Sequence, residues 1–140
     1  MKTPRRIVFK AKRKDNNEWI IGDLTHRKSR NCVIKPMFSS INSPSYNIDP
    51  ATLSQFTGMY DKNGKRIFEN DIVKTQYGRL CVVKWYSGDS YCGWNLDPIG
   101  TDDNLRLKPP SEYFLWSKED NEVVGNVFDN YDIVEEALNE

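Results

Sequence analysis

The chain has 140 residues, with 20 Lys+Arg against 20 Asp+Glu and a formal net charge of zero. That length fits one domain, or a small domain with an extension, and the balanced charge does not support a globally basic nucleic-acid binder. No run of about 18 apolar residues is available to span a membrane, and the basic start MKTPRRIVFKAKRK lacks the apolar stretch of a secretory signal.

Hydrophobic residues make up 38% and aromatics 12%, enough for one core and weighted towards strands. Charge is uneven along the chain. Seven basic and no acidic residues precede Asp15, and eight acidic and no basic residues follow Lys118. Two readings fit: termini whose solvated faces attract, or a basic arm for nucleic acid with an acidic tail that shields or mimics it. Cys32, Cys81 and Cys92 are an odd set without close pairing, so reduced, buried or half-buried thiols are expected. A zinc site from these with His26 lacks closely spaced ligand pairs.

In chain order, residues 5–12 read as a strand with Ile7, Phe9 and Ala11 on one face and Arg6, Val8, Lys10 and Lys12 on the other. Residues 14–17 form a turn. Residues 18–25 return as the second strand of a hairpin, with Gly22 at a bulge or close backbone approach. Residues 32–35 make a third strand that Pro36 ends. Residues 38–47 read as a loop pinned by Tyr46 and Ile48. Residues 51–55 read as one helical turn capped by Asp49, with Pro50 at its first position. The first 50 residues thus form an N-terminal β-hairpin layer and loop.

The densest turn chemistry follows, in residues 55–74, QFTGMYDKNGKRIFENDIVK. Asn63-Gly64 is a strong hairpin signal. Glu69-Asn70-Asp71 is a second turn, and Ile72-Val73 opens a β-branched strand. Residues 71–76 and 79–87 pair around Tyr77-Gly78. Both faces of the second of these are mostly apolar, so it is central or covered on both sides. Residues 91–96 form the next strand. Short strands with tight turns at this spacing suggest a small barrel or curled sheet. Residues 97–110 are irregular, and residues 112–116 a short aromatic strand. Residues 123–128 form a strand with Gly125 at its bulge. Asp129 or Asn130 caps a short C-terminal helix with an apolar stripe at Ile133, Val134, Ala137 and Leu138.

The same turns carry a resemblance. Thr57-Gly58, Asp61-Lys62-Asn63-Gly64-Lys65, Ile67 and Asp71-Ile72-Val73, followed by Val124-Gly125-Asn126-Val127, resemble the motifs of the YopX-like family of phage and prophage proteins. Asn70 stands where that family usually has Gly. Asn tolerates a left-handed backbone better than other non-Gly residues. Lys12 to Lys14 depart from the Trp-Asp common near that family's N-terminus. The resemblance implies a mostly β fold with an SH3-like small barrel over residues 51–140, the additional N-terminal β layer over residues 1–50, and a cytoplasmic setting. It implies no activity. Thr57, Gly58, Asp61, Asn63, Gly64, Asp71, Gly125 and Asn126 are expected to be structural motif residues.

For chemistry, Asp61, Glu69 and Asp71 could converge on a metal and make a hydrolase, but turns need such side chains for their own backbone bonds. No catalytic residue, metal or cofactor is expected. A Cys32–His26 pair is a bare alternative. Lys62, Lys65, Arg66, Lys74 and Arg79 with Tyr60, Tyr77 and Trp85, together with Lys10 and Lys12 on the first strand, make a candidate basic-aromatic surface. The expected role is a non-enzymatic module for protein interaction or self-assembly, as a homo-oligomer or with a protein partner and without a membrane. The alternative is nucleic-acid binding through the basic first strand and the hairpin lysines.

Overall fold

A computed structural model describes residues 6–28, 31–76, 78–89, 92–100 and 121–138. The expected aromatic strand at residues 112–116, the irregular stretch 101–110 and Tyr77 lie outside the described residues. The chain divides into two compact units, Met1–Gly58 and Met59–Glu140.

The first unit holds β1 (Phe9–Lys12), β2 (Trp19–His26), β3 (Cys32–Pro36), β4 (Tyr46–Asn47) and the start of β5 (Ser54–Tyr60). They form an antiparallel sheet in the order β4-β3-β2-β1-β5. Its core is Ala11, Ile20, Cys32, Ile34 and Ile48, with Phe9, Leu24, Tyr46 and Leu53 packed around it. Tyr46 and Ile48 do pin the long loop. The helical turn is a 3₁₀ turn, Pro50–Thr52, shorter than the expected 51–55 because β5 already starts at Ser54, but its cap is as expected: the Asp49 side chain accepts from the Ala51 N–H at 3.0 Å. Thr52 then ties this turn to β1, its hydroxyl accepting from the Lys12 N–H at 2.8 Å.

The expected faces of the first strand need correction. The strand starts at Phe9, Ile7 before it is exposed, and Val8 is buried. The Val8 carbonyl accepts from the Phe56 N–H at 2.8 Å, so β5 covers this residue's backbone where a solvated face was expected. Gly22 is a close approach. A Cβ built there would lie 1.8 Å from the Lys35 carbonyl oxygen.

In the second unit β5 ends, and β6 (Arg66–Phe68) pairs with it after a turn in which Gly64 takes φ +79°. A four-stranded antiparallel sheet follows: β7 (Asp71–Thr75), β8 (Leu80–Ser87), β9 (Cys92–Pro98) and β10 (Asn121–Asn126), in the order β10-β7-β8-β9. Asn70 takes φ +71° at the entrance to β7, a left-handed position that Asn accepts better than other non-Gly residues. β7 and the first half of β8, residues 80–83, are covered on both faces, whereas residues 84–87 are exposed, so the expected two-sided cover holds for only part of β8. Val73, Cys81, Val83 and Leu96 pack with Ile67 on one side. On the other, Ile72, Val82 and Ile99 meet Ile133, Val134 and Ala137 of helix α1 (Tyr131–Leu138). Eight residues are too few for a free helix, so this docking holds it. The register of β10 against β7 shifts between Val123 and Gly125, which places the expected bulge there.

Neither sheet closes into a barrel among the described residues. The four-stranded sheet keeps β9 and β10 as separate edges, and the segment that joins them in sequence, residues 101–120, lies outside the described residues.

β9 runs two residues further than expected, through Asp97 and Pro98. Ladder geometry explains how Pro is accommodated. The Ile99 N–H donates to the Leu80 carbonyl at 2.9 Å. Antiparallel pairs alternate between bonded and non-bonded, so Asp97, Asn95 and Gly93 turn their backbone groups towards β8. Pro98 opposite Cys81 falls at a non-bonded position, where a missing N–H costs the ladder nothing.

Candidate functional site

The acidic residues of the central motif are absorbed by the backbone. Asp61 is 3% exposed. Its Oδ1 accepts from the Asn63 and Lys65 N–H groups, each at 2.9 Å, and its Oδ2 from the Val123 N–H at 2.9 Å. Burial pushes this carboxyl up, but the bonds from Val123, Lys65 and Asn63 outweigh it and hold the group below its ordinary 3.8. Asp71, also buried, accepts from the Phe68 N–H at 2.8 Å and closes the β6–β7 turn. Asn126 does the same work further on, its Oδ1 accepting from the Phe128 and Asp129 N–H groups. Gly125 has no room for a side chain, because a Cβ would lie 2.5 Å from Asn130 Oδ1, which itself accepts from the Asn126 N–H. Thr57 and Gly58 lie in β5, with Gly58 at φ +88°.

Among the described residues no three His, Cys, Asp or Glu side chains come together to hold a metal ion. The convergence of Asp61, Glu69 and Asp71 that a metal-dependent hydrolase needs is therefore not made. Cys32 and His26 are cross-strand neighbours in the β2–β3 ladder. No hydrogen bond joins their side chains, and the Cys32 thiol belongs to the apolar core. Cys81 is buried, which pushes its thiol up to about 12. Cys92 is exposed, contrary to the expected burial.

The candidate basic surface divides between the units. In the first, the Lys10 and Lys12 ammonium groups lie 4.8 and 5.5 Å from the centroid of the Trp19 ring. Lys12 pairs directly with Trp19 in the ladder, so the hairpin itself sets this cluster. Arg13 stacks on Tyr46 at 3.9 Å, but its guanidinium is bound by Asp15 at 2.6 Å. That hydrogen bond holds the Asp15 carboxyl below its ordinary range.

In the second unit the hairpin cations are offset. Glu122 lies 3.5 Å from Lys62 and opposite Lys74 in the β10–β7 ladder. Lys65 is exposed, whereas Arg66 and Arg79 are half-buried. Tyr60 is exposed at the end of β5.

The outer part of the β8–β9 ribbon has a different character. Trp85 is 53% and Tyr86 38% exposed. Trp85 faces Trp94 across the ladder, edge to face, with ring centroids 5.1 Å apart. The pair sits at a non-bonded position, where opposite side chains approach most closely. Sequence reasoning found Trp85 but not its partner, nor that β9 lies at the edge of its sheet among the described residues. Cys92, Trp94 and Leu96 turn their backbone groups away from β8, and no strand among the described residues pairs with them. The opposite edge of the sheet is blocked by the Asp61 loop: besides the Asp61–Val123 bond, the Lys62 N–H donates to the Asn121 carbonyl at 2.9 Å.

A family model described as YopX protein matches residues 8–135. This chain belongs to the YopX family. The match takes in β1 to β10 and most of α1, so it covers the hairpin of Lys10 and Lys12, the Asp61 turn and β9 alike. Of the residues expected to be structural, Asp61, Asp71 and Asn126 bond turn backbone with their side chains, and Gly125 leaves room for the Asn130 side chain at the β10 bulge. Among the described residues, no helix of this YopX chain is long and apolar enough to cross a membrane. No curated protein matches the chain.

Proposed function

We propose that this YopX-family chain is a non-enzymatic protein-interaction module, of phage or prophage type and cytoplasmic, that engages its partner along the outer edge of β9. The observation that carries this reading is the edge itself. β9 has seven residues, CGWNLDP, among them two large apolar side chains and no lysine. Proteins that keep an edge solitary shield it with lysine, with proline inside the strand, or with a covering segment. Here the one proline is terminal, no strand among the described residues pairs with the outer side of β9, and the other edge of the same sheet is the shielded one. A strand added at such an edge gains main-chain hydrogen bonds, and the exposed Trp85 and Tyr86 beside it supply apolar contact.

Hydrogen exchange tests the reading. The Cys92, Trp94 and Leu96 amides exchange freely in the isolated monomer and become protected when a partner binds. Gly93 is the place for a blocking charge, since a Cβ there meets nothing within 4 Å. Gly93→Lys keeps the fold and removes both binding and protection. A partner complex in which β9 exchanges as fast as in the free chain sinks the proposal.

A second reading rests on Lys10 and Lys12 around Trp19, a basic-aromatic cluster of the kind on which single-stranded nucleic acid stacks. It expects oligonucleotide binding that weakens steeply with salt. Replacing both lysines by alanine lowers the slope of log K against log salt by about 1.4, at roughly 0.7 per lost phosphate contact on a single strand. Binding that is absent, or indifferent to salt, removes this reading.

A further inference from the structure

The pattern of outward-facing groups on β9 says which strand fits it. We infer that the occupant of this edge is a second copy of the same chain, with its β9 antiparallel to the first about a two-fold axis at Trp94; this rests on the edge-strand reading above.

Three residues point outward with both N–H and C=O: Cys92, Trp94 and Leu96. They are symmetric about Trp94. Antiparallel pairing with Trp94 opposite its own copy sets Cys92 opposite the partner subunit's Leu96, and Leu96 opposite the partner subunit's Cys92. The N–H and C=O groups of these three residues then meet one another, and the ladder is bonded from Cys92 to Leu96. Sliding one copy by two residues brings Cys92 against the partner's Pro98, which has no N–H to give. The symmetric register is the one in which neither the proline nor the turn intrudes.

Charge agrees with it. Asp97 is the one charged residue of β9. In this register the two Asp97 residues lie six positions apart along the ladder, roughly 20 Å at about 3.4 Å per residue. That is beyond the Debye length of about 8 Å at physiological ionic strength. A register that set them opposite each other would place like charges face to face. Side chains agree as well. Trp94 of each copy would stand on one face of the joined sheet with Trp85 outside it, so the edge-to-face pair seen in one chain becomes a row of four indoles.

Cys92 supplies the probe, being exposed while Cys32 and Cys81 are buried. A nitroxide placed on Cys92 reports the register. Four residues along and one strand across separate the two Cys92 Cα atoms by about 14 Å. The expected result is a mass that doubles from 16.3 kDa in light scattering, a label separation in that range, and loss of both in Gly93→Lys. Hydrogen exchange on unlabelled protein provides a second readout, with Cys92, Trp94 and Leu96 protected in proportion to the dimer. A chain that stays monomeric at high concentration overturns self-pairing. A dimer whose β9 amides stay unprotected, or that survives Gly93→Lys, overturns it too. A protected dimer with a different label separation overturns the register. The edge-strand reading fails separately, only if β9 also remains unprotected in a complex with another protein.

Discussion

Asp61→Ala is expected to destabilise the second unit by on the order of 4 kcal/mol, seen as a lowered midpoint in urea at unchanged slope. The carboxylate accepts three backbone N–H groups, from Asn63, Lys65 and Val123. Two of these are in a loop where water can replace the lost acceptor in part. The third is in β10, where it cannot easily do so. Asp61→Asn separates geometry from charge. Its amide oxygen can keep the two loop bonds, but its NH₂ then faces the Val123 N–H, donor against donor. The sign of the pH dependence follows from the lowered carboxyl. Because the folded value lies below the unfolded one, the stabilisation is complete above the ordinary 3.8 and is lost as pH falls through the folded value. The gap between wild type and Asp61→Asn therefore narrows in acid. A gap that stays constant from pH 7 to pH 2 would show that the charge contributes nothing.

Gly22→Ala is expected to be as damaging in the first unit, by about 3–5 kcal/mol, or to prevent its folding. Gly22 pairs with Phe9 on one side and Pro36 on the other, in the interior of the sheet. An added Cβ would lie 1.8 Å from the Lys35 carbonyl oxygen and 3.0 Å from the Met37 nitrogen. Both obstacles are backbone, so no side chain can swing aside, and β2 and β3 must part. Gly58→Ala is the control. Its φ of +88° disfavours a side chain, yet a Cβ there meets nothing within 4 Å. It should cost only about 1–2 kcal/mol, the ordinary penalty for a left-handed residue. Thermal melts of the two variants decide the matter. Gly22 does not take a positive φ, so a loss no larger than that of Gly58→Ala would mean that β3 gives way to the added methyl at little cost.

What could be read from the sequence was local. Asn63-Gly64, Asn70 and the Asp49-Pro50 cap are turn chemistry that acts within four residues, and the structure places each as expected. Gly22 and Gly125 could be flagged as tight points, because a glycine inside a strand pattern is a local anomaly. The faces of the first strand misled: Val8 is buried and its carbonyl is bonded by Phe56, nearly 50 residues later, and alternation along one strand says nothing about distant partners. Pro98 misled for the opposite reason. Proline normally stops a strand before it, and only the bonding phase of β9 against β8 shows how this one can stand inside the strand as its last residue. The candidate surface was legible as composition but not as arrangement. Lys10, Lys12 and Trp19 meet because of a hairpin register, whereas Lys62 and Lys74 are offset by Glu122, an acid about 50 or more positions away. Barrel closure is a property of a whole sheet, and no local pattern in these residues encodes it.

The bond from Val123 to Asp61 spans 62 positions of the chain. A polypeptide made from its N-terminus exposes Asp61 well before residue 123 has left the ribosome. At some 5–20 residues per second, the charged group waits several seconds for its third donor. During that wait the β5–β6 turn is under-bonded and the β10 side of the sheet is open. The first unit, whose strands all precede residue 59, has no such dependence and can assemble while the rest is still being translated. The order of events in the cell is thereby set by one carboxylate: early folding for the hairpin layer, late locking for the sheet. A nascent chain stalled before residue 121 should consequently be protease-resistant in its first half and cleavable in its second.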